Sequence, residues 1–133
     1  MIDKPRVLVA DDEERILILL QANLEAFGFE VRTAEDGHQA LGLLENERFD
    51  AVITDMNMPG AGGMEIIQYV RREFGPSLPV IVITAYGSVQ NAVHAMQAGA
   101  TDYLEKPFDM GDLRKCLAKW IEAVSVSDPF NDN

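Results

Sequence analysis

The chain has 133 residues, 47% apolar and 25% charged, with a formal net charge of −11. That composition fits one folded domain around one core and excludes disorder. The negative charge excludes direct nucleic-acid binding, which needs a basic face, and suits a cation or a basic partner. Cys116 is the only cysteine, so no internal disulfide or thiolate metal cage can form and nothing points to export. The apolar run in "MIDKPRVLVA" is too short for a signal peptide and no run is long enough to span a bilayer. A cytoplasmic setting away from membranes is therefore expected.

In chain order, an apolar strand over 6–10 leads into a helix over 13–27, in which Ile16, Leu20, Leu24 and Phe27 recur at helical spacing and Gly28 stops the run. A strand over 29–34 and a helix over 38–45 follow. The third strand, over 50–54, meets the loop "DMNMPG". A third helix covers 63–74, and "PVIVIT" is the fourth strand. The fourth helix follows Ser88 and carries Val89, Ala92, Val93 and Met96 on one face. "DYLEK" is the fifth strand. The last helix starts near Asp109, a suitable N-cap, with Leu113, Cys116, Leu117, Trp120, Ile121 and Val124 as its core stripe. Residues 1–124 form the domain in this reading, and the polar stretch 125–133 is a frayed tail or the start of a linker.

Five β/α units predict a parallel sheet with helices on both faces. "VLVA", "AVIT" and "VIVIT" are continuously apolar, as central parallel strands are. "FEVRTA" alternates and "DYLEK" carries three charged groups, so both read as edges. The order 2-1-3-4-5 satisfies these assignments and puts the switch point between strands 1 and 3.

Ligands of such a sheet bind beyond the carboxyl ends of its strands. There the sequence places Asp11 and Asp12, Asp55, Thr84, and Lys106 followed by Pro107. Taken singly each is ordinary: Asp12 as a helix cap, Asp55 as turn chemistry, Thr84 as a strand residue. Taken together, at the ends of four strands, they require several coincidences. Three neighbouring carboxylates repel, and one must take a proton unless something compensates. Mg²⁺, which favours carboxylate, water and phosphate oxygens, is the simplest compensation, with a backbone carbonyl near Asn57 as a further ligand. Lys106 can neutralise a carboxylate or a phosphoryl group. "DMNMPG" also begins like a calcium-binding EF-hand loop. However, Pro59 occupies its fifth position and Ile66 its twelfth, where a bidentate Glu is required.

"ADDE", "TDMNMPGAGG", "VITAY" and "DYLEKPF", spread over about 6–124, together resemble the receiver domain of two-component response regulators. The implied fold is flavodoxin-like (CheY-like): a doubly wound, three-layer α/β/α domain. The stretch "AYGSVQNAVHAMQAGATDYLEKPFD" is most similar to receivers of the nitrogen-regulation type, which often precede an AAA+ domain acting with sigma-54. No signature position departs from the pattern. By this resemblance Asp55 accepts a phosphoryl group from a sensor histidine kinase or a phosphotransfer protein. Asp11 and Asp12 hold Mg²⁺ together with Asp55 and the Asn57 backbone carbonyl. Thr84 and Lys106 contact the phosphoryl group, Tyr103 is the aromatic switch residue, and the Lys106–Pro107 bond is cis. Asn57 and Tyr86 flank the site where they influence phosphoryl lifetime. The resemblance further implies an output surface made by the fourth helix, fifth strand and fifth helix, through which a homodimer could form. It implies self-modification rather than turnover of an external substrate. The alternatives are a phosphatase using Asp55 as nucleophile, which wants an acid/base aspartate where Asn57 stands, and a binding module with a structural cation. His38 and His94, on separate helices, are expected at the surface, and Met56 and Met58 in local packing.

Overall fold

The computed structural model describes residues 4–85 and 87–121. Its elements alternate as the periodicity predicts: β1 (Arg6–Ala10), α1 (Glu14–Ala26), β2 (Glu30–Ala34), α2 (Gly37–Asn46), β3 (Ala51–Asp55), α3 (Gly63–Phe74), β4 (Val80–Thr84), α4 (Val89–Ala98), β5 (Asp102–Glu105) and α5 (Met110–Trp120). All neighbouring strands are parallel and their order is β2-β1-β3-β4-β5. Every residue of β3 and β4 is buried, which is why both read as unbroken apolar runs, whereas β5 alternates because it closes the sheet.

Two apolar layers flank the sheet. Val7, Val9, Ile53, Ile81 and Ile83 face α1 and α5, where Leu17, Leu20, Leu24, Leu113 and Leu117 cover them. Leu8, Val52, Val80 and Val82 face α2, α3 and α4, covered by Ala40, Leu44, Ile66, Ile67, Val70 and Ala95. Alternate residues of one strand thus feed opposite cores, the geometry of a three-layer domain.

Three sequence expectations are corrected. In α1, Leu17 rather than Ile16 is the fully covered residue of the first turn; Ile16 is half-buried. In α4 the buried residues are Ala92 and Ala95, while Val89 is 68% exposed and Val93 and Met96 also face solvent. Small alanines let α4 lie close on the sheet, so its larger apolar side chains are left outside. Trp120 is not a core residue: it is 43% exposed, and its indole N–H donates to the Asp102 carboxylate at 2.9 Å. Cys116 and Ile121 are buried as the stripe predicts, whereas Val124 and the tail 125–133 lie outside the described residues.

Candidate functional site

The carboxyl ends of β1, β3, β4 and β5 converge on one point. Asp11 follows β1 and is fully buried, with its backbone N–H donated to Ala34 O of β2. Asp12 is exposed beside it, and Asp55 is the buried last residue of β3. One carboxylate oxygen from each of Asp11, Asp12 and Asp55 lies within 4.8 Å of the others. Thr84 ends β4 and is buried, and Lys106 follows β5, its N–H donating to Thr84 O at 2.8 Å. The Lys106–Pro107 peptide bond is cis.

The loop after β3 is shaped by close approaches. Gly63 opens α3 with its Cα against the end of β3; a Cβ there would sit 2.9 Å from Met56 Cα and 3.0 Å from Asp55 O. Gly37, at the start of α2, lies so near the Ala61 carbonyl that any side chain would overlap it. The Gly63 N–H donates to Met56 O and the Gly62 N–H to Glu65 Oε1. The glycines of "PGAGG" therefore let two helix starts press on this loop, and they fix where Asp55 and Asn57 stand.

Electrostatically the site is strained in the expected sense. Burial pushes the Asp55 pKa above the ordinary carboxylate value and Asp12 adds to this, against the opposing pull of Lys106 and the Asn57 N–H. Burial likewise raises the Asp11 pKa, opposed by the Glu13 N–H and Lys106 and reinforced by the charge of Asp55. Lys106 Nζ lies 3.5 Å from Asp11 Oδ2 and 3.6 Å from Asp55 Oδ2. Its hydrogen bond, however, goes to Glu13 Oε1 at 3.0 Å. Burial works against the Lys106 charge and is outweighed by Glu13, Asp55 and Asp11, which together hold its pKa above the ordinary lysine value.

Asp11 Oδ2 is buried and accepts no hydrogen bond. A buried carboxylate oxygen without a donor suits a cation, and the donor set is all oxygen, hard and acidic, as Mg²⁺ prefers. The residues present therefore fit that ion.

The structure brings Asp11, Asp12, Asp55, Thr84 and Lys106 to the same end of the sheet, with Asn57 exposed in the adjoining loop. Tyr103 stands apart on β5, 45% exposed and turned to solvent. Tyr86 lies outside the described residues. His38 and His94 are both exposed. Sequence reasoning missed Glu13 as a partner of Lys106. The signal was present in the third acidic residue of "ADDE", which was absorbed into the helix start.

Residues 7–118 match the family model of the response regulator receiver domain. The chain belongs to this family. This receiver is 40% identical over 115 residues to the response regulator protein PilR of Pseudomonas aeruginosa, covering 86% of the chain and 26% of PilR. The chain spans from about a quarter to about half the length of the curated relatives it matches first. Among solved structures, a receiver domain protein from Clostridium thermocellum is 37% identical with a TM-score of 0.81, covering 92% of this chain and 98% of its own. The receiver domain of the sensor histidine kinase PA1611 from Pseudomonas aeruginosa, solved with a magnesium ion coordinated in its active site cleft, is 30% identical with a TM-score of 0.81, covering 90% and 99%. The receiver fold is thus shared across nearly the whole chain. Among the described residues no helix is long and apolar enough to cross a membrane.

Proposed function

We propose that this receiver accepts a phosphoryl group on Asp55 with Mg²⁺ bound, and that the change is read out on the face formed by α4, β5 and α5. The observation that carries the reading is the gathering of three carboxylates within 4.8 Å around an orphaned buried oxygen, with one ammonium beside them. Asp11, Asp12 and Asp55 would hold the ion with the Asn57 carbonyl. When bound, Mg²⁺ supplies positive charge for the equatorial oxygens of the transferring group.

The remaining chemistry belongs to the chain. Asp55, on the last residue of a fully buried strand, is held rigidly, so its oxygen can meet phosphorus in line as the donor's bond breaks. Lys106 needs to move its Nζ only a little from 3.6 Å to pair with the product. Thr84 can donate its hydroxyl to a phosphoryl oxygen. The phosphoryl group adds about −1.5 to −2 charges at neutral pH and new acceptors, by analogy with other phosphorylated side chains. Those acceptors draw Thr84 and Lys106 inward, and Tyr103, now solvent-facing, turns into the space Thr84 leaves. A sensor histidine kinase or phosphotransfer protein is the donor by family. An apolar groove of about 460 Å³ lined by Ile16, Leu19, Pro107, Phe108 and Met110, with Lys106 and Glu13 at its lip, gives such a donor a surface beside Asp55. The reaction modifies the receiver itself, and the setting is cytoplasmic.

The test is intact mass after incubation with acetyl phosphate and Mg²⁺. Wild type gains one phosphoryl group and Asp55→Asn gains none. Equal gain by both proteins would refute Asp55 as acceptor.

A further inference from the structure

Glu105 stands directly before Lys106 and has no place in the chemistry above. In the β4–β5 register it is the partner of Thr84. Its side chain reaches past the end of β4, where Oε2 accepts the Gly87 N–H at 2.8 Å. Gly87, three residues after Thr84, holds a left-handed φ of +81° in the loop leading to α4. Among the described residues, the loop has few other ties. Ser88, the N-cap of α4, makes no side-chain capping bond and sits at φ −86°, ψ 61°, and the first turn of the helix contains no acidic residue. The Ser88 N–H is satisfied within the loop, by Ala85 O. Among the described residues, the Glu105–Gly87 bond is the one hydrogen bond joining loop residues 85–88 to a segment other than α4.

The other end of α4 is fixed firmly. Arg71 of α3 donates through Nε to Gly99 O at 2.7 Å, through one terminal nitrogen to Gly75 O and Leu78 O, and through the other to Thr101 Oγ1. Gly99 caps α4 in the left-handed region, and a Cβ there would lie 3.0 Å from Arg71 Cγ. One guanidinium therefore ties the end of α3, the approach to β4 and the exit of α4 together. The helix is anchored at its C-terminal end and, among the described residues, the loop at its N-terminal end is tethered to β5 by one exposed hydrogen bond.

We infer that Glu105 is a positioning residue of the site. Its bond to Gly87 holds the backbone that follows Thr84 in the resting arrangement, and its release lets α4 swing about the end that Arg71 fixes. The tie can be judged without any phosphoryl chemistry; its role as the released element rests on the phosphoacceptor reading. Because Thr84 and Glu105 are register partners, an inward shift at Thr84 changes the span from Glu105 to Gly87. An exposed bond of this kind is weak enough to break within the free energy of one new charged contact.

Amide hydrogen exchange on the full chain tests the tie. Gly87 exchanges about fivefold more slowly in wild type than in Glu105→Ala. Glu105→Gln, which keeps an acceptor oxygen, retains most of the protection. With acetyl phosphate and Mg²⁺, Glu105→Ala gains the phosphoryl group about two- to fivefold faster than wild type, because its active arrangement is more populated, and Glu105→Gln stays near wild type. Equal Gly87 exchange in wild type and Glu105→Ala overturns the inference. So do equal phosphorylation rates, and so does Glu105→Gln behaving like Glu105→Ala. A wild-type chain that gains no mass on Asp55 refutes the phosphoacceptor reading instead, while Gly87 protection lost in Glu105→Ala and kept in Glu105→Gln still upholds the tie.

Discussion

A charged Asp55 is costly in its buried position beside two other carboxylates, and Lys106 offsets only part of that cost. A carboxyl whose folded pKa is raised takes up its proton more readily in the folded state. Its contribution to stability is present at acid pH and lost as pH rises from the unfolded value of about 4 through the folded one. Asp55→Asn removes the charge and keeps the shape. Without divalent cations at pH 7 it should raise the melting temperature by about 2–5 °C. Mg²⁺ should then stabilise wild type more than the variant, because a cation relieves the same repulsion. Thermal melts with chelator and with Mg²⁺ check both; a variant that melts below wild type in chelator contradicts the account. Asp11, Asp12, Asp55 and Lys106 could be read from the sequence because strand polarity alone sends them to one end of the sheet. The pairing of Lys106 with Glu13 could not, since it depends on which of three nearby carboxylates a flexible side chain reaches.

The elements are joined by polar ties as well as by apolar layers. Arg71 satisfies three carbonyls and a hydroxyl, with no carboxylate partner among the described residues, and burial lowers its pKa. Arg71→Met should cost about 2–4 kcal/mol, since those acceptors lose their donor together. Urea unfolding measures it; a loss under 1 kcal/mol would mean that water replaces the guanidinium freely. At the other edge, Asp102 ties β5 to α5. Burial pushes its pKa up, but Trp120, the Tyr103 N–H, Cys116 and Lys119 outweigh burial and hold it below the ordinary value. Stability from that tie is present above about pH 4 and lost as pH falls through the folded pKa. Trp120→Phe should therefore cost about 0.5–1 kcal/mol at pH 7, discounted for solvent screening, and less at pH 3. Unfolding followed by circular dichroism at both values decides it, and a difference that grows on acidification would contradict it. These ties mark where sequence reading stopped. Helical spacing placed Trp120 on the core side of α5 because period alone cannot see the half-buried Asp102 carboxylate that captures the indole. It grouped Val89, Ala92, Val93 and Met96 on one face, but it cannot weigh the closeness that Ala92 and Ala95 permit, which leaves the three larger side chains outside. Strand order was legible because burial on both faces leaves an unbroken apolar run, as in "VIVIT".

Among the described residues, five of the eight large exposed apolar side chains lie on α4, β5 and α5; Ile18 and Leu19 of α1 and Phe74 of α3 are the others. Val89, Val93 and Met96 of α4 and Tyr103 of β5 all face solvent, with the half-exposed Trp120 of α5 beyond them. Charges of both signs border them, Asp102 and Glu105 on β5 and Lys115 and Lys119 on α5. A face carrying both signs can meet a second copy of itself across a two-fold axis, each acid opposite a base, even though the chain as a whole carries −11 and repels itself elsewhere. In the resting chain Tyr103 stands outward and interrupts that face. Phosphorylation, by drawing Tyr103 in, would flatten it. The expected outcome is that the acetyl phosphate-treated chain with Mg²⁺ elutes as a dimer at about tens of micromolar while the untreated chain elutes as a monomer, an affinity of roughly 6–7 kcal/mol. Val93→Asp places a charge in the middle of the patch on a residue the core does not use. It should abolish the dimer and leave the phosphoryl mass gain on Asp55 unchanged. A Val93→Asp chain that still dimerises on treatment would show that the copies meet elsewhere, and a treated wild type that stays monomeric would leave the apolar face to a different partner.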